Sequence, residues 1–152
     1  MSTTADILDG LAAWLAANVT PTVVWNPSGA YTTSQTGIFR KVVPIAPDRI
    51  LALTVVPQSD DPSMPLGRVM IQIRGRGLPN KPNDVDDLLD SVFDVLHGRT
   101  DLTFGAATLI QINREIRAPM GQDDSKRWET ADQYYTDVDY PPTVTRPERG
   151  SW

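Results

Sequence analysis

The clearest pattern of hydrophobic and polar positions lies in residues 67–98, where two different periods follow one another. Val69, Ile71 and Ile73 recur at every second position, which is the period of a half-buried β-strand. Glycines and a proline then turn the chain. Further apolar residues follow with the 3.6-residue period of one helix face: Val85, Leu88, Leu89, Val92, Phe93 and Leu96. The pattern predicts a strand, a tight turn and an amphipathic helix.

The ends of this helix carry residues that favour capping. Asn83 is predicted to cap the N-terminus, because its side chain can accept a hydrogen bond from a free first-turn N–H. His97 lies in the last turn, and Gly98 can adopt the left-handed conformation that ends many helices. A helix this short is marginal alone, so it must pack on a sheet. We expect Leu89 and Phe93 to be buried there, at roughly 1.5–3 kcal/mol for each large side chain.

The rest of the chain predicts one further helix and several strands. Residues 3–18 show helical spacing, and Thr3 with Asp6 resembles a weak capping box. A near-continuous apolar run from Ile50 to Val56 predicts a central strand. Shorter strands are predicted in four other stretches: 23–25, 38–43, 107–116 and 128–140.

The remaining polar stretches predict connections. Residues 58–66 and 100–105 are interpreted as loops, and 119–127 as a hairpin tip. The resulting order predicts an α+β fold, with an antiparallel or mixed β-sheet and two helices packed on one face. Residues 1–140 are predicted to form a single domain, followed by a proline-rich tail at 141–152.

Composition and charge narrow the class of protein. The chain has 152 residues, close to the usual size of one domain, and no cysteine, which excludes disulfides and Cys-based metal sites. A net charge of −5 argues against a protein that binds nucleic acid by neutralising phosphates. No stretch approaches the ~20 apolar residues of a membrane span. The first residues lack the pattern of a signal peptide, so we expect a cytoplasm-like setting.

No residue pattern predicts catalysis, a cofactor or a metal site. His97 is the only histidine, and no nucleophile or orienting group can be paired with it. Asp123 and Asp124, beside Lys126 and Arg127, are candidates for a metal or phosphate loop. A solvated hairpin tip is the stronger interpretation of these four residues, because loop tips are commonly polar.

One charge pattern has no explanation within the predicted helix. Asp86, Asp90 and Asp94, here called the acidic ridge, recur at every fourth position, and residues 83–96 contain no lysine or arginine. Like charges at this spacing destabilise a helix by roughly 0.2–0.5 kcal/mol per pair. The ridge is either a hydrated outer face or one side of an interface with a basic surface. Candidates for that surface are Arg74, Arg76, Arg114 and Arg117.

Four stretches resemble, in the same order, the tail terminator proteins of long-tailed phages that infect actinobacteria, which are often labelled minor capsid proteins. The stretches are PDRILALTVVP (47–57), VMIQIRGRG (69–77), DVDDLLDSVFDVLHGR (84–99) and GQDDSKRWETADQYYTDV (121–138). No single stretch is specific, whereas the ordered combination is. The resemblance covers about residues 38–140.

The resemblance implies a small α+β subunit without catalytic residues that forms a homohexameric ring at the head-proximal end of the tail tube. Such a ring ends tube polymerisation and docks to the head–tail connector, or stopper, while phage DNA passes through its lumen without specific binding. It implies a virion protein of the neck, assembled in the host cytoplasm, with no membrane partner and no cofactor. Its partners would be further copies of itself, the tail tube protein and the connector.

Other interpretations stay open beside this one. The chain could form another ring of the neck or tail tube, act as a monomeric binding module, or be a small hydrolase. The acidic balance suits a channel through which DNA slides. An acidic helix and basic strand ends on one chain suit a ring with a heterologous interface, in which one patch meets a different patch. The acidic ridge and the four arginines are therefore the predicted oligomer interface.

Overall fold

The computed structural model describes residues 2–19 and 23–147, and these form two helices and seven strands. The elements in chain order are α1 (Thr3–Asn18), β1 (Val23–Val24), β2 (Thr36–Arg40), β3 (Ile50–Asp60), β4 (Leu66–Arg76), α2 (Asp84–Leu96), β5 (Thr100–Phe104), β6 (Ala107–Gln122) and β7 (Trp128–Asp139).

The strands form one mixed sheet with the order β1-β2-β3-β4-β7-β6-β5. The pairs β1–β2 and β2–β3 are parallel, and the other neighbouring pairs are antiparallel. The long strands β3, β4, β7 and β6 stand side by side in the middle and on one flank of the sheet. The predicted α+β class, with a mixed sheet and two helices, is confirmed.

The core lies between the helices and one face of the sheet. Leu53 pairs with Ile73, and Ile71 pairs with Tyr134, so alternate residues of neighbouring strands share this face and are fully buried. The helices add their apolar stripes to the same cluster: Ile7, Leu8, Leu11 and Leu15 of α1, and Val85, Leu88, Leu89, Val92 and Leu96 of α2.

Close packing of α2 on β4 depends on a glycine. A Cβ atom built on Gly75 would lie 3.0 Å from the side chain of Leu89. The predicted burial of Leu89 is confirmed, whereas Phe93 is only half-buried. Phe93 stacks on His97, with a distance of 4.6 Å between ring centroids, and the Arg114 guanidinium lies 4.0 Å from its ring centroid. Phe93 therefore lies at the margin of the core, where it contacts polar side chains on its outer side.

The two predicted helix caps differ from the structure in different ways. Asn83 is the N-cap residue of α2, as predicted, but its side chain makes no capping bond. The Asp84 carboxylate instead accepts a hydrogen bond from the Leu78 N–H in the preceding turn. Helix α1 is capped by Ser2, whose hydroxyl accepts from the Ala5 N–H, one residue before the predicted position. The left-handed glycine predicted after α2 is confirmed, because residue 98 has φ +83°.

Several strand boundaries also differ from the prediction. Residues 58–60 extend β3, and 100–104 form β5, although their polar composition predicted connections. Both stretches pair through backbone hydrogen bonds at exposed ends or edges of the sheet, and most of their side chains are exposed. Phe104 of β5 nevertheless joins the core. Strand β2 ends at residue 40, and β6 continues to residue 122.

None of the helices within the described ranges is long and apolar enough to cross a membrane. The predicted division into a domain at 1–140 and a tail at 141–152 stays a prediction. Residues 148–152 of that tail lie outside the described residues.

Candidate interface site

The sheet has one face that neither described helix covers, here called the open face. Strand alternation places Val56, Met70 and Tyr135 in one row across it, since Met70 pairs with both of the others. All three are at least partly exposed. The neighbouring row pairs Gln72 with Gln133. The open face is thus a partly apolar, partly polar surface of the kind that protein interfaces use.

One end of the open face is covered by residues 41–49, which two buried arginines hold in place. Arg76, only 2% exposed, donates to the carbonyl oxygens of Pro44 at 2.6 Å, Pro47 at 2.7 Å and Asp48 at 2.8 Å. Burial lowers the pKa of Arg76 from its ordinary value, and the charge of a neighbouring arginine lowers it further. Because an arginine side chain stays charged in proteins, its burial requires hydrogen-bond acceptors, and these carbonyl oxygens provide them.

The second buried arginine is Arg127, which is 5% exposed. Its Nη1 atom donates to the carbonyl oxygen of Ile45 at 2.5 Å and lies 3.1 Å from a carboxylate oxygen of Asp48. We call Arg76 and Arg127 the arginine clamp. The clamp commits Arg76, one of the predicted interface residues, to its own chain.

The hairpin between β6 and β7 supports this clamp. Asp123 accepts hydrogen bonds from the backbone N–H groups of Ser125 at 3.0 Å and Arg127 at 2.9 Å, and from Nε of Arg127 at 2.9 Å. Burial alone would raise the pKa of Asp123, but the hydrogen bonds and charge of Arg127 outweigh it, so the pKa is lowered. Asp123 therefore shapes the hairpin tip. Within residues 2–19 and 23–147, no group of three His, Asp or Glu side chains is arranged to hold a metal ion.

On the helix-covered face, the structure joins part of the acidic ridge to two of the predicted arginines. Asp90 lies 2.7 Å from Nη1 of Arg117, which makes two further bonds of 2.6 and 2.8 Å with Asp132. Arg114 lies 3.5 Å from the same buried Asp132. Hydrogen bonding to Asp132 raises the pKa of Arg117, although burial opposes it. The charge of Asp90, which has no partner within α2, is thus compensated by β6 of its own chain.

The other predicted interface residues lie apart from this cluster. Asp86 and Asp94 are exposed, and neither makes an ion pair with any residue in the described part of the chain. Arg74 is on the open face, where it lies 2.9 Å from Glu129. Pairing of the acidic ridge with arginines of another copy stays a prediction.

The histidine of the chain, His97, links helix α2 to strand β6. His97 Nδ1 accepts a hydrogen bond from the Arg114 backbone N–H at 3.0 Å, which ties the end of α2 to β6. This bond requires an unprotonated Nδ1.

The sequence did not predict the buried pairing of Asp132, the role of residues 41–49, or the burial of Arg127, which was assigned to a solvated hairpin tip. A signal for Asp132 was present, because Tyr134 and Val138 set the period of the buried face of β7, and Asp132 falls on that period. A carboxylate at such a position must be paired. The clamp left no comparable local signal, because its partners are 28 or more residues apart in sequence.

A comparison with known families supports one of the open interpretations. The profile described as bacteriophage tail terminator protein matches residues 22–140, which include the whole sheet and α2. The chain belongs to the bacteriophage tail terminator family. The resemblance seen in the sequence is therefore confirmed at the level of the family. A search of curated proteins finds no match to this chain.

Membership of the tail terminator family supports a structural role in the phage particle. The surfaces that this tail terminator leaves exposed include the open face, with its clamped segment, and the outer side of α2. The family match does not test the predicted host group or the predicted tail type, and both stay predictions.

Proposed function

We propose that this chain ends the polymerisation of a phage tail tube by forming a ring at its head-proximal end, and that the ring joins the tail to the head–tail connector. The observation that carries the proposal is the family match over residues 22–140. The number of copies is six, as the resemblance implies. The protein works as a structural part of the neck and catalyses no reaction.

The charge of the chain supports a ring through which DNA passes. With a net charge of −5, the subunit does not attract a polyanion overall, so DNA can move through the lumen without specific binding. The partners of the ring are the tail tube protein on one side and the connector on the other. Assembly takes place in the cytoplasm of the bacterial host.

The proposal is tested with the phage that encodes this chain, after the gene has been interrupted. Electron microscopy should show tail tubes of uncontrolled length that carry no heads. Adding the purified protein to that extract should restore tails of uniform length and infectious particles. The variant Leu89→Asp is the negative control, because a charge in the core should prevent folding.

Two results of the same experiment would contradict the proposed function. If the mutant phage accumulates headless tails of normal length, the protein acts only at the head connector and does not end the tube. Tubes that remain overlong in the presence of soluble, folded protein would also contradict the proposal.

A further inference from the structure

Residues 41–49 present three apolar side chains to solvent. Val42 is 55% exposed, Val43 38% and Ile45 85%. Single exposed aliphatic residues are common, but three within so short a stretch form a patch, and such patches mark interaction sites. We call these three residues the knob.

The arginine clamp holds the knob in one conformation. The carbonyl oxygens of Pro44, Ile45 and Pro47 point inwards to the guanidinium groups, which leaves the side chain of Ile45 directed outwards. A segment that is already ordered loses little conformational entropy when it binds, so the knob is prepared for docking.

A cavity of about 550 Å³ lies at the other end of the open face. Its lining combines apolar surface from Leu66, Ile110, Tyr140 and Pro141 with the carboxylate of Asp139. The size is within the range of roughly 300–1,000 Å³ that is usual for binding pockets. We call it the Tyr140 cavity.

The knob and the cavity are too far apart to meet within one chain. Arg76, which holds the knob segment, and Leu66, which lines the cavity, are the last and first residues of the 11-residue strand β4. At about 3.3 Å per residue, these ends are about 33 Å apart. Contact between knob and cavity would therefore join two copies head to tail, and repetition of such a heterologous contact forms a ring when the rotation between copies closes.

The charges beside the two surfaces are complementary. Lys41 directly precedes the knob and is exposed, and Asp139 lines the cavity and is exposed. Neither makes an ion pair with another residue in ranges 2–19 and 23–147, so both are available to a partner. Opposite charges at the rim of an apolar contact fix its orientation.

We propose that the knob of each copy inserts into the Tyr140 cavity of the next copy, with Lys41 beside Asp139, and that this contact closes the ring. The inference rests on the proposed function, and it names the surfaces that the ring uses. The occupant of the cavity is a second copy of this chain, because the complementary surfaces lie at opposite ends of one face.

Disulfide trapping tests this contact directly, since the chain has no cysteine of its own. Ile45→Cys and Ile110→Cys are made as separate variants of the full chain, mixed in equal amounts and oxidised, both in concentrated solution and in assembled tails. A disulfide needs Cα atoms about 4.4–6.8 Å apart, so it reports direct contact. A cross-linked dimer should form in the mixture and not in either variant alone.

The double variant, with both cysteines in one chain, should form a ladder of cross-linked species that ends at the size of the ring. The matched control is Ile45→Cys mixed with Ser91→Cys, because Ser91 is exposed on α2, which packs on the opposite face of the sheet. This control should give only background cross-linking.

Three results would overturn the inference. The mixture could cross-link no more than the Ser91 control in solution and in tails, Ile45→Cys could cross-link with itself, or it could cross-link with the tube or connector protein. If wild-type protein still ends tubes in any of these cases, the proposed function stands without this interface. Cross-linking in the mixture, together with failure to end tubes, would instead contradict only the proposed function.

Discussion

At the scale of single residues, buried arginines and their acceptors shape the surfaces that matter. A guanidinium group has five N–H donors in a fixed plane, and a segment with several inward carbonyls can satisfy them. Arg76 uses this geometry to hold a loop across 28 to 32 residues of sequence. The exposed knob is therefore a consequence of a buried charge.

We expect Arg76→Met to destabilise the protein by about 3 kcal/mol, because it leaves the buried carbonyl oxygen of Pro47 and the partly buried ones of Pro44 and Asp48 without this donor, at ~1–3 kcal/mol for a fully buried group. Urea unfolding followed by tryptophan fluorescence measures the loss. Arg74→Met is the matched control on the same strand and face. Its partly exposed ion pair with Glu129 should cost about 1 kcal/mol or less. Equal, small losses in both variants would show that the clamp does not hold the segment.

The lowered pKa of Asp123 predicts a loss of stability in acid. The folded pKa lies below the ordinary value of 3.8, so the native state binds fewer protons than the unfolded state. The contribution of the Asp123 carboxylate to the stability of the folded state is fully present above that value and is lost as the pH falls through the folded pKa. Asp123→Asn should lower the melting temperature at neutral pH and weaken its dependence on pH between about 4 and 2.

Asp124→Asn provides the control for this prediction, because Asp124 is exposed at the same hairpin tip. Its melting temperature at neutral pH should match that of the wild type. An Asp123→Asn variant that loses stability in acid as steeply as the wild type would contradict the assignment.

The role of a residue could be predicted from the sequence where it depends on neighbours in the chain. It could not be predicted where it depends on residues of other elements. The glycine after α2 and the hairpin role of Asp123 follow from their immediate neighbours. The partners of Arg76 and Asp90 lie on other elements, and a local pattern does not show which elements meet. The uncompensated repulsion predicted for the ridge was thus partly wrong, since Arg117 neutralises its middle residue.

At the scale of elements, α2 is held mainly by its apolar stripe. We expect Leu89→Ala to cost about 3 kcal/mol, within the range of ~2–5 kcal/mol for truncating a buried leucine. Leu89 is fully buried and packs against Gly75, so neighbouring groups have little freedom to fill the space. Differential scanning calorimetry measures the change. Ser91→Ala, on the exposed side of the same helix, should stay within about 0.5 kcal/mol. Similar losses of stability in both variants would show that Leu89 does not lie on the face of α2 that packs against the sheet.

Elements with a buried face could be predicted from their period, and edge elements could not. Helices α1 and α2 and strand β4 each repeat apolar residues towards the core. Strand β5 and the end of β3 are formed by backbone pairing with a neighbouring strand. Most of their side chains are polar and exposed, although Leu102 and Phe104 of β5 reach the core. Polar strands of this kind have the composition of loops, which explains why both were predicted as connections.

At the scale of the whole molecule, two candidate interaction surfaces lie on opposite faces of the sheet. The open face carries the knob and the Tyr140 cavity at its two ends. The other face is covered by α1 and α2, and the exposed side of α2 carries the acidic ridge. A ring subunit needs surfaces for its neighbours in the ring and for the proteins above and below it. The ridge is therefore a candidate for contacts that the knob and the cavity do not make.

Two residues of the acidic ridge, Asp86 and Asp94, have no ion-pair partner in the described part of the chain. Asp86→Lys combined with Asp94→Lys should fold normally, since both side chains are exposed, and Asp90 is left in place to bind Arg117. If the ridge meets a basic surface, the reversed charges should prevent the protein from ending tail tubes. Each exposed pair is worth only about 0–1 kcal/mol, but the pairs repeat at every subunit of a ring.

The measurement is the tail length distribution in the extract of the phage that lacks the gene, after addition of each variant. Circular dichroism first confirms that the double variant is folded. Asp124→Lys is a charge reversal on the exposed hairpin tip and should end tubes as the wild type does. If the double variant also ends tubes normally, Asp86 and Asp94 form a hydrated surface, and the charged interface predicted from their spacing does not exist.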